Sequence, residues 1–364
     1  MIVYVYPADI YGCGYYRLIW PAEALRAQGH DVRVVLPSMR EGIGGSLDSK
    51  SSELVDVHFP PDADVIVLQR VSNKNMSRAV AMMRAKGVAV VVDMDDDLTK
   101  IDPSNPAFAP LQVGGFGLVA HHDYRNAHRA CMDATLVTVS TPALLSVYAP
   151  HGRGLVLENR VPAAYLDVDH VDSTTIGWPG SVHSHPDDLR PLGPSVQRLV
   201  REGVDYLGIG PDFDRQPGDG GLRRALGLDE DPPCSGTVSM TDWPLAVARL
   251  GVGLAPLADT RFNAAKSWLK PLEMMAVGVP FVASPRAEYR KIACAAYDVV
   301  GATKVLAETP KDWYRKIKAL VRDASLREDL GELGREYVRE SATIEGNAWR
   351  WLQAWTDARK LQDV

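Results

Sequence analysis

The chain has 364 residues, a length that suggests about two domains, each large enough for its own core. Its net charge of -6 argues against a polyanion-binding surface over the whole molecule, and so against broad nucleic-acid binding, while leaving room for a local basic groove. Cys13, Cys131, Cys234 and Cys294 have no short spacing and no accompanying histidine pattern, so they read as reduced thiols of a cytoplasmic protein rather than as disulfides or a zinc site.

The chain opens directly on the apolar run Ile2-Val3-Tyr4-Val5-Tyr6, with no basic region before it, and no apolar run approaches the ~18 residues of a membrane span. No signal peptide and no transmembrane segment are expected. Short β-branched runs then alternate with helical periodicity, the pattern of βα units in a parallel sheet. Strands are predicted at 2–6, 31–36, 64–69, 88–93 and 135–139, and then at 174–178, 204–209, 235–239, 251–255, 280–283 and 297–300. The apolar pattern is weakest at Pro150–Arg153 and Asp167–Asp172, which puts a linker at 160–173. The division gives an N-terminal domain over 1–165 and a second over 166–340, two Rossmann-like halves across a cleft, followed by a C-terminal helix over 341–364.

After the first strand, Gly12-Cys13-Gly14 can bring backbone N–H groups close to a ligand, with positive φ open to the glycines. The third glycine of a dinucleotide fingerprint is missing, and Val34-Val35-Leu36 runs into Pro37-Ser38 without an acidic residue, which argues against a nicotinamide dehydrogenase. Arg17, one turn into the helix, either reaches a phosphate across the cleft or is a surface arginine. Asp93, Asp95, Asp96 and Asp97 close the run Val88–Val92; like charges this close must be solvated or bind something, including an acceptor hydroxyl or a divalent ion. The segment from Asp102 to Gly117 is a candidate lid or a plain surface loop. His121, His122, Asp123 and His128 have poor spacing for a metal. His183 and His185 follow Gly180-Ser181, where either could donate to a phosphate.

Further on, Val252–Leu257 reads as a strand running into a loop, and a helix over 262–273 would begin near that strand's carboxyl end, where open α/β sheets bind ligands. Lys266, Lys270 and Glu273, at i, i+4 and i+7, would share one helix face, two cations for phosphate oxygens and one carboxylate for sugar hydroxyls. A solvated Lys/Glu face is the alternative. Ile344, Ala348, Trp351, Trp355 and Ala358 recur at steps of three and four, an amphipathic helix with two indoles on its buried side.

Taken together, Glu273, Ala276, Gly278 and Pro280, with Gly12-Cys13-Gly14-Tyr15-Tyr16-Arg17, Gly29-His30-Asp31-Val32, Ile176–Ser181 and Asn159, resemble the GT-B nucleotide-sugar glycosyltransferases, nearest to the retaining family 4 branch. The resemblance covers roughly the whole chain. It implies an α/β fold of two Rossmann-like domains with the last helix crossing back onto the first. It also implies a UDP- or GDP-sugar as donor co-substrate, no obligatory metal or cofactor, and transfer of a hexose-type sugar with retention. Glu273 would hold the ribose hydroxyls, Val238 in 236–239 would meet the base through its backbone, and Gly180, Ser181 and His183 would face the diphosphate.

Two departures accompany the resemblance. Asp95 and Asp96 stand where related transferases have a His-Asp pair, and Ala265 stands where they have a glutamate. Asn263, Lys266 and the backbone near Ser267 and Trp268 are therefore the candidates for reading the sugar. Lys266, Lys270, Arg17 and the amides of Gly12 and Gly14 would stabilise the departing diphosphate, with Asp95 and Asp96 on the acceptor side. The acceptor stays open between protein, glycan, lipid head group and small metabolite. The competing functions are a nucleotide-sugar epimerase or phosphorylase on the same frame, and a noncatalytic sugar-nucleotide or nucleic-acid-binding protein.

Overall fold

A computed structural model describes residues 1–37, 42–101, 124–185, 187–211 and 220–363. The first sheet is built from β1 (Val3–Tyr6), β2 (Val32–Val34), β5 (Val65–Gln69), β6 (Ala89–Met94), β7 (Leu136–Val139) and β8 (Gly154–Val156), in the order β2-β1-β5-β6-β7-β8. All its pairings are parallel. β3 (Gly44–Leu47) and β4 (Leu54–His58) form a separate antiparallel hairpin. The second sheet, also parallel, has the order β10-β9-β11-β12, from β9 (Ile176–Pro179), β10 (Tyr206–Ile209), β11 (Val252–Ala255) and β12 (Phe281–Ala283). β5 and β6 are buried along their whole length, as expected of central strands covered on both faces.

The C-terminal helix Trp349–Gln362 returns to the first sheet. Trp351, Ala354, Trp355 and Ala358 are buried against Val3, Val5, Val65, Val67 and Val91, and Ile344 and Ala348 join the same cluster. At roughly 25 cal/mol per Å² over 150–250 Å², each indole contributes at most about 4–6 kcal/mol of burial. Trp351 also donates its indole N–H to the Arg17 carbonyl at 2.9 Å, so the last helix fastens the turn that carries the first cleft residues.

Two predicted strands are absent. Tyr297–Val300 lies within the helical segment Ala287–Val305, which kinks at Asp298 (φ 56°, ψ -177°). Asp298 accepts from the N–H groups of Val300 and Gly301 at 2.6 and 2.8 Å, and so caps the helix that follows. Val299 and Val300 are 73% and 72% exposed, whereas Tyr297 packs on Phe281 with ring centroids 5.8 Å apart; one of three apolar side chains faces inward, not a strand face. The segment 235–239 makes only isolated bridges, Gly208 with Cys234 and Gly210 with Gly236. Gly236 sits at φ 68°, which breaks the extended backbone a continuous strand needs there.

The β3–β4 hairpin and β8 lie outside the predicted strands. β3 is exposed throughout and carries no apolar signal, and β8 has three residues at a sheet edge. The segment expected as a lid, with His121, His122 and Asp123, lies outside the described residues, apart from its neighbour His128, which is exposed on the helix Tyr124–Asp133. All four cysteines are free thiols. Among the described residues no helix is long and apolar enough to cross a membrane.

Candidate functional site

The carboxyl ends of strands from both sheets converge on a cavity of about 370 Å³. From the first sheet it receives Gly12, Tyr16, Arg17, Asp95 and Asp96, and from the second Gly180, Ser181, His185, Asp188 and Val238. Lys266, Ser267, Leu269, Lys270 and Glu273 complete it. This is where open parallel sheets place ligands, and here two such ends face each other.

The helix expected over 262–273 begins later. Asn263–Ala265 is a 3₁₀ turn, Lys266 is extended (φ -67°, ψ 140°), and the α-helix runs Leu269–Ala276. Pro271 explains the shift: it lacks an N–H and its ring clashes with the carbonyl four residues back, so it is accommodated only in a first turn. Lys266 and Lys270 therefore reach the cavity from a loop and from a helix start, not from one face. Leu269 and Lys270 open that helix and line the same cavity, so the positive end of its dipole lies at the cavity wall.

Each charged group has a defined partner. Lys266 donates to Asp96 Oδ1 at 2.7 Å, and Arg70 donates to Asp96 Oδ2 at 2.7 Å and to Asp95. Burial opposes the Lys266 ammonium, but the Asp96 charge and hydrogen bond outweigh it and raise its pKa. Burial likewise opposes ionisation of Asp95, and the Arg70 charge overcomes it and holds the carboxyl low. Lys270 has its Nζ 5.3 Å from the centroid of the Trp178 ring, and burial lowers its pKa. Glu273 is 5% exposed and accepts from the Tyr16 hydroxyl at 2.5 Å. Burial pushes its carboxyl up to about 7 against the Tyr16 hydrogen bond and the Lys270 charge. Tyr165 lies 2.7 Å from the Tyr16 hydroxyl, so the two rings and the carboxylate form one chain across the cleft.

The acidic cluster after β6 is divided among separate partners. Asp93 holds Arg17, Asp95 and Asp96 hold Arg70, and Asp97 accepts from the Thr99 N–H at 3.0 Å and the Thr99 hydroxyl at 2.6 Å. Among the described residues no group of His, Cys, Asp and Glu side chains is arranged to hold a metal ion.

Arg17 is neither at the surface nor reaching across the cleft. It is 0% exposed; its Nε and Nη2 donate to Asp93 at 3.0 and 2.7 Å, and its Nη1 donates to Asn159 Oδ1 at 2.9 Å and to the Leu157 carbonyl. It braces the cavity floor. Asn159 in turn donates to Ser267 Oγ at 2.9 Å and, through its carbonyl, accepts from the Trp268 indole at 3.0 Å, joining the end of the first half to the loop before the helix Leu269–Ala276.

Gly12 and Gly14 are in helical conformation, so positive φ is not their role. A Cβ on Gly14 would fall 1.9 Å from the Asp9 carbonyl, and the Gly14 N–H is held by Asp9 Oδ1 at 3.0 Å; close approach within the chain is what requires glycine there. Asn263 is buried and donates to Asp188 at 2.8 Å and to the Ala258 carbonyl at 3.1 Å, a position that fixes the loop from below. His185, not His183, lines the cavity, with Nδ1 3.3 Å from Asp188 Oδ2. Burial, with Lys270 nearby, pushes His185 down to about 4, so its ring is neutral at pH 7.

Arg70, Tyr16, Tyr165 and Asp188 were not assigned roles from sequence. Arg70 follows a buried strand and has φ 50°, an uncommon conformation for a non-glycine residue, and such strain gathers at functional sites. A basic residue at the end of β5, level with the aspartates ending β6, is the signal that adjacent parallel strands offered.

No family model and no curated protein sequence matches the chain. Solved structures do match it over nearly full length. A glycosyltransferase from Rickettsia africae ESF-5 is 12% identical, with 98% of each chain covered and a TM-score of 0.63. An alpha-glucosyltransferase in complex with UDP is 12% identical over 98% of this chain and 99% of that one, with a TM-score of 0.61. Anabaena HepE, in complex with UDP and glucose, is 10% identical over 98% and 99%, with a TM-score of 0.59. Two parallel α/β sheets facing across a shared cavity, a last helix crossing back to the first sheet, and these full-length matches together identify the chain's architecture as the GT-B fold.

Proposed function

We propose that the chain transfers a hexose-type sugar from a UDP- or GDP-sugar to an acceptor hydroxyl. The observation that carries this reading is the convergence of Lys266, Lys270 and the start of the helix Leu269–Ala276 on one cavity, with buried Glu273 one turn further on. The diphosphate would lie against the two ammonium groups and the free N–H groups of the first turn, the ribose against Glu273, and the base beside Val238. UDP held by the alpha-glucosyltransferase, and UDP with glucose held by Anabaena HepE, favour a uridine donor.

In the reaction the bond between the anomeric carbon and the phosphate oxygen breaks, and a bond from the acceptor oxygen to that carbon forms. Positive charge develops on the sugar and negative charge on the diphosphate, and the acceptor proton leaves with the phosphate. Lys266 and Lys270 stabilise the departing anion; removing one such contact costs on the order of 3 kcal/mol, about a hundredfold in rate. Asp95 and Asp96 are held in ion pairs with Arg70 and Lys266, so they orient an acceptor hydroxyl rather than act as a free nucleophile. Attack from the leaving-group face, with retention, is part of the same proposal and is supported by the resemblance to the retaining branch.

The test is calorimetric titration of UDP and GDP, together with UDP release from UDP-sugars. Lys270→Ala and Glu273→Ala are each expected to weaken UDP binding about a hundredfold without unfolding the chain. Full affinity in both variants, or no nucleotide binding by the folded wild type, would overturn the assignment.

A further inference from the structure

A second, larger cavity of about 780 Å³ lies at the carboxyl ends of β1 and β5, between the β3–β4 hairpin and the helix Lys74–Ala85. Ile43, Leu47, Leu54, Val71, Met76 and Leu98 line it, and Tyr6 is the single aromatic side chain among its described lining residues. Asp9 also lines it and accepts from the Tyr11 and Gly14 N–H groups through Oδ1. Several other polar groups along the wall are committed within the protein. Gln69 accepts from the Ala8 N–H and donates to the Cys13 carbonyl, both at 3.0 Å, and Asn73 Oδ1 accepts from the Met76 N–H at 3.0 Å. Arg70 is held by Asp95 and Asp96. In contrast, the Tyr6 hydroxyl and Asn75 Oδ1 are buried without a hydrogen-bond partner.

Arg70 lines this cavity, and the two aspartates that hold it line the donor cavity, so the two spaces share a wall. We propose that the larger cavity seats an acceptor with an apolar body, aliphatic or aromatic, whose reacting hydroxyl projects past Arg70 toward Asp95 and Asp96. The proposal rests on glycosyl transfer at the neighbouring cavity. A purely polar glycan would set ring hydroxyls against aliphatic walls that offer almost nothing to bond them, and buried unpaired polar groups are costly. An amphiphile instead sets its apolar body against the apolar lining, the usual composition of a small-molecule site of this size.

The experiment is calorimetry on the full chain, without nucleotide, using glucose and n-butyl, n-hexyl and n-octyl glucoside below their micelle-forming concentrations. Affinity is expected to rise about fourfold per methylene until the cavity is filled. Leu47→Glu, at an exposed rim position that folding tolerates, and Met76→Trp, which occupies the cavity, are each expected to weaken octyl glucoside at least tenfold. UDP affinity is expected to stay within twofold in both. Equal affinity for butyl and octyl glucoside, or octyl glucoside binding that survives both substitutions, overturns the proposal. Should UDP fail to bind while the chain-length dependence holds, the donor reading falls and the apolar cavity stands; should UDP bind and chain length have no effect, the acceptor proposal alone falls.

Discussion

Replacing Glu273 by glutamine should stabilise the protein at pH 8 far more than at pH 5. The carboxyl rises from 4.5 to about 7 on folding because burial disfavours its charged form more than Tyr16 and Lys270 favour it. Between those values the native chain keeps a proton that the unfolded chain has released. Stability is therefore highest below about 4.5, falls as pH rises through the window, and stays reduced above 7. A shift of about 2.5 units corresponds to about 3 kcal/mol in total, of which about 2.5 kcal/mol falls between pH 5 and pH 8. Glutamine keeps an oxygen to accept from the Tyr16 hydroxyl and has no charge to bury. Urea unfolding of both proteins at pH 5 and pH 8 isolates the effect, because all other titrations cancel in the difference. A Gln-minus-Glu stability difference that is the same at both pH values would refute the reasoning and return Glu273 to an ordinary solvated carboxylate.

Two further outcomes follow from the same geometry. Ribose hydroxyls donating to Glu273 favour its ionised form, so UDP affinity should increase from pH 6 to pH 8 with net proton release, read from the dependence of the binding heat on buffer ionisation enthalpy. Glu273→Gln should remove most of the protein's share of that release; an unchanged release in the variant would take Glu273 out of the ribose contact. Arg17→Lys should destabilise the fold by about 3–5 kcal/mol in denaturant titrations, because an ammonium cannot reproduce the two-pronged hold on Asp93 and the carboxylate stays buried. A stable Arg17→Lys protein that loses UDP binding would make Arg17 a ligand instead of a brace.

Periodicity carried most of the fold. The continuous apolar runs of β5 and β6 announce strands covered on both faces, and the spacing of Ile344, Ala348, Trp351, Trp355 and Ala358 announces a helix with one buried side. What that spacing does not contain is the identity of the surface the helix meets. Trp351 bonds to a carbonyl 334 residues away, a choice made by the folded chain as a whole. Local chemistry explains the misplaced elements. Pro271 moves a helix start, Gly236 breaks a strand, and Asp298 turns an apolar run into a capped helix. Most of the candidate residues line one cavity, Gly14, His183 and Asn263 excepted, but their roles were not legible. Arg17 finds its partners 76 and 142 positions away, and nothing in its neighbourhood distinguishes a buried brace from a phosphate ligand.

Residual hydrogen-bonding capacity makes that distinction once the partners are known. Arg17 has five N–H donors, and four bonds to Asp93, Asn159 and Leu157 leave it almost nothing for a ligand. Asn263 is similar, with its amide hydrogens divided between Asp188 and Ala258. Lys266 instead gives one of three ammonium hydrogens to Asp96, Ser267 Oγ accepts from Asn159 and keeps its own hydrogen to donate, and Glu273 accepts from Tyr16 on one oxygen and retains the second. Each of these three lines the cavity, is oriented by a bond to the protein and keeps capacity beyond that bond. That combination is what preorganised binding requires, since a group held in place loses little freedom when a ligand arrives and still has something to offer it. On this criterion Lys266, Ser267 and Glu273 are the groups the proposed donor would meet directly, while Arg17, Asn159 and Asn263 hold the loops that carry them. Arg70, committed to both Asp95 and Asp96, stays in the wall between the two cavities and sets its charge.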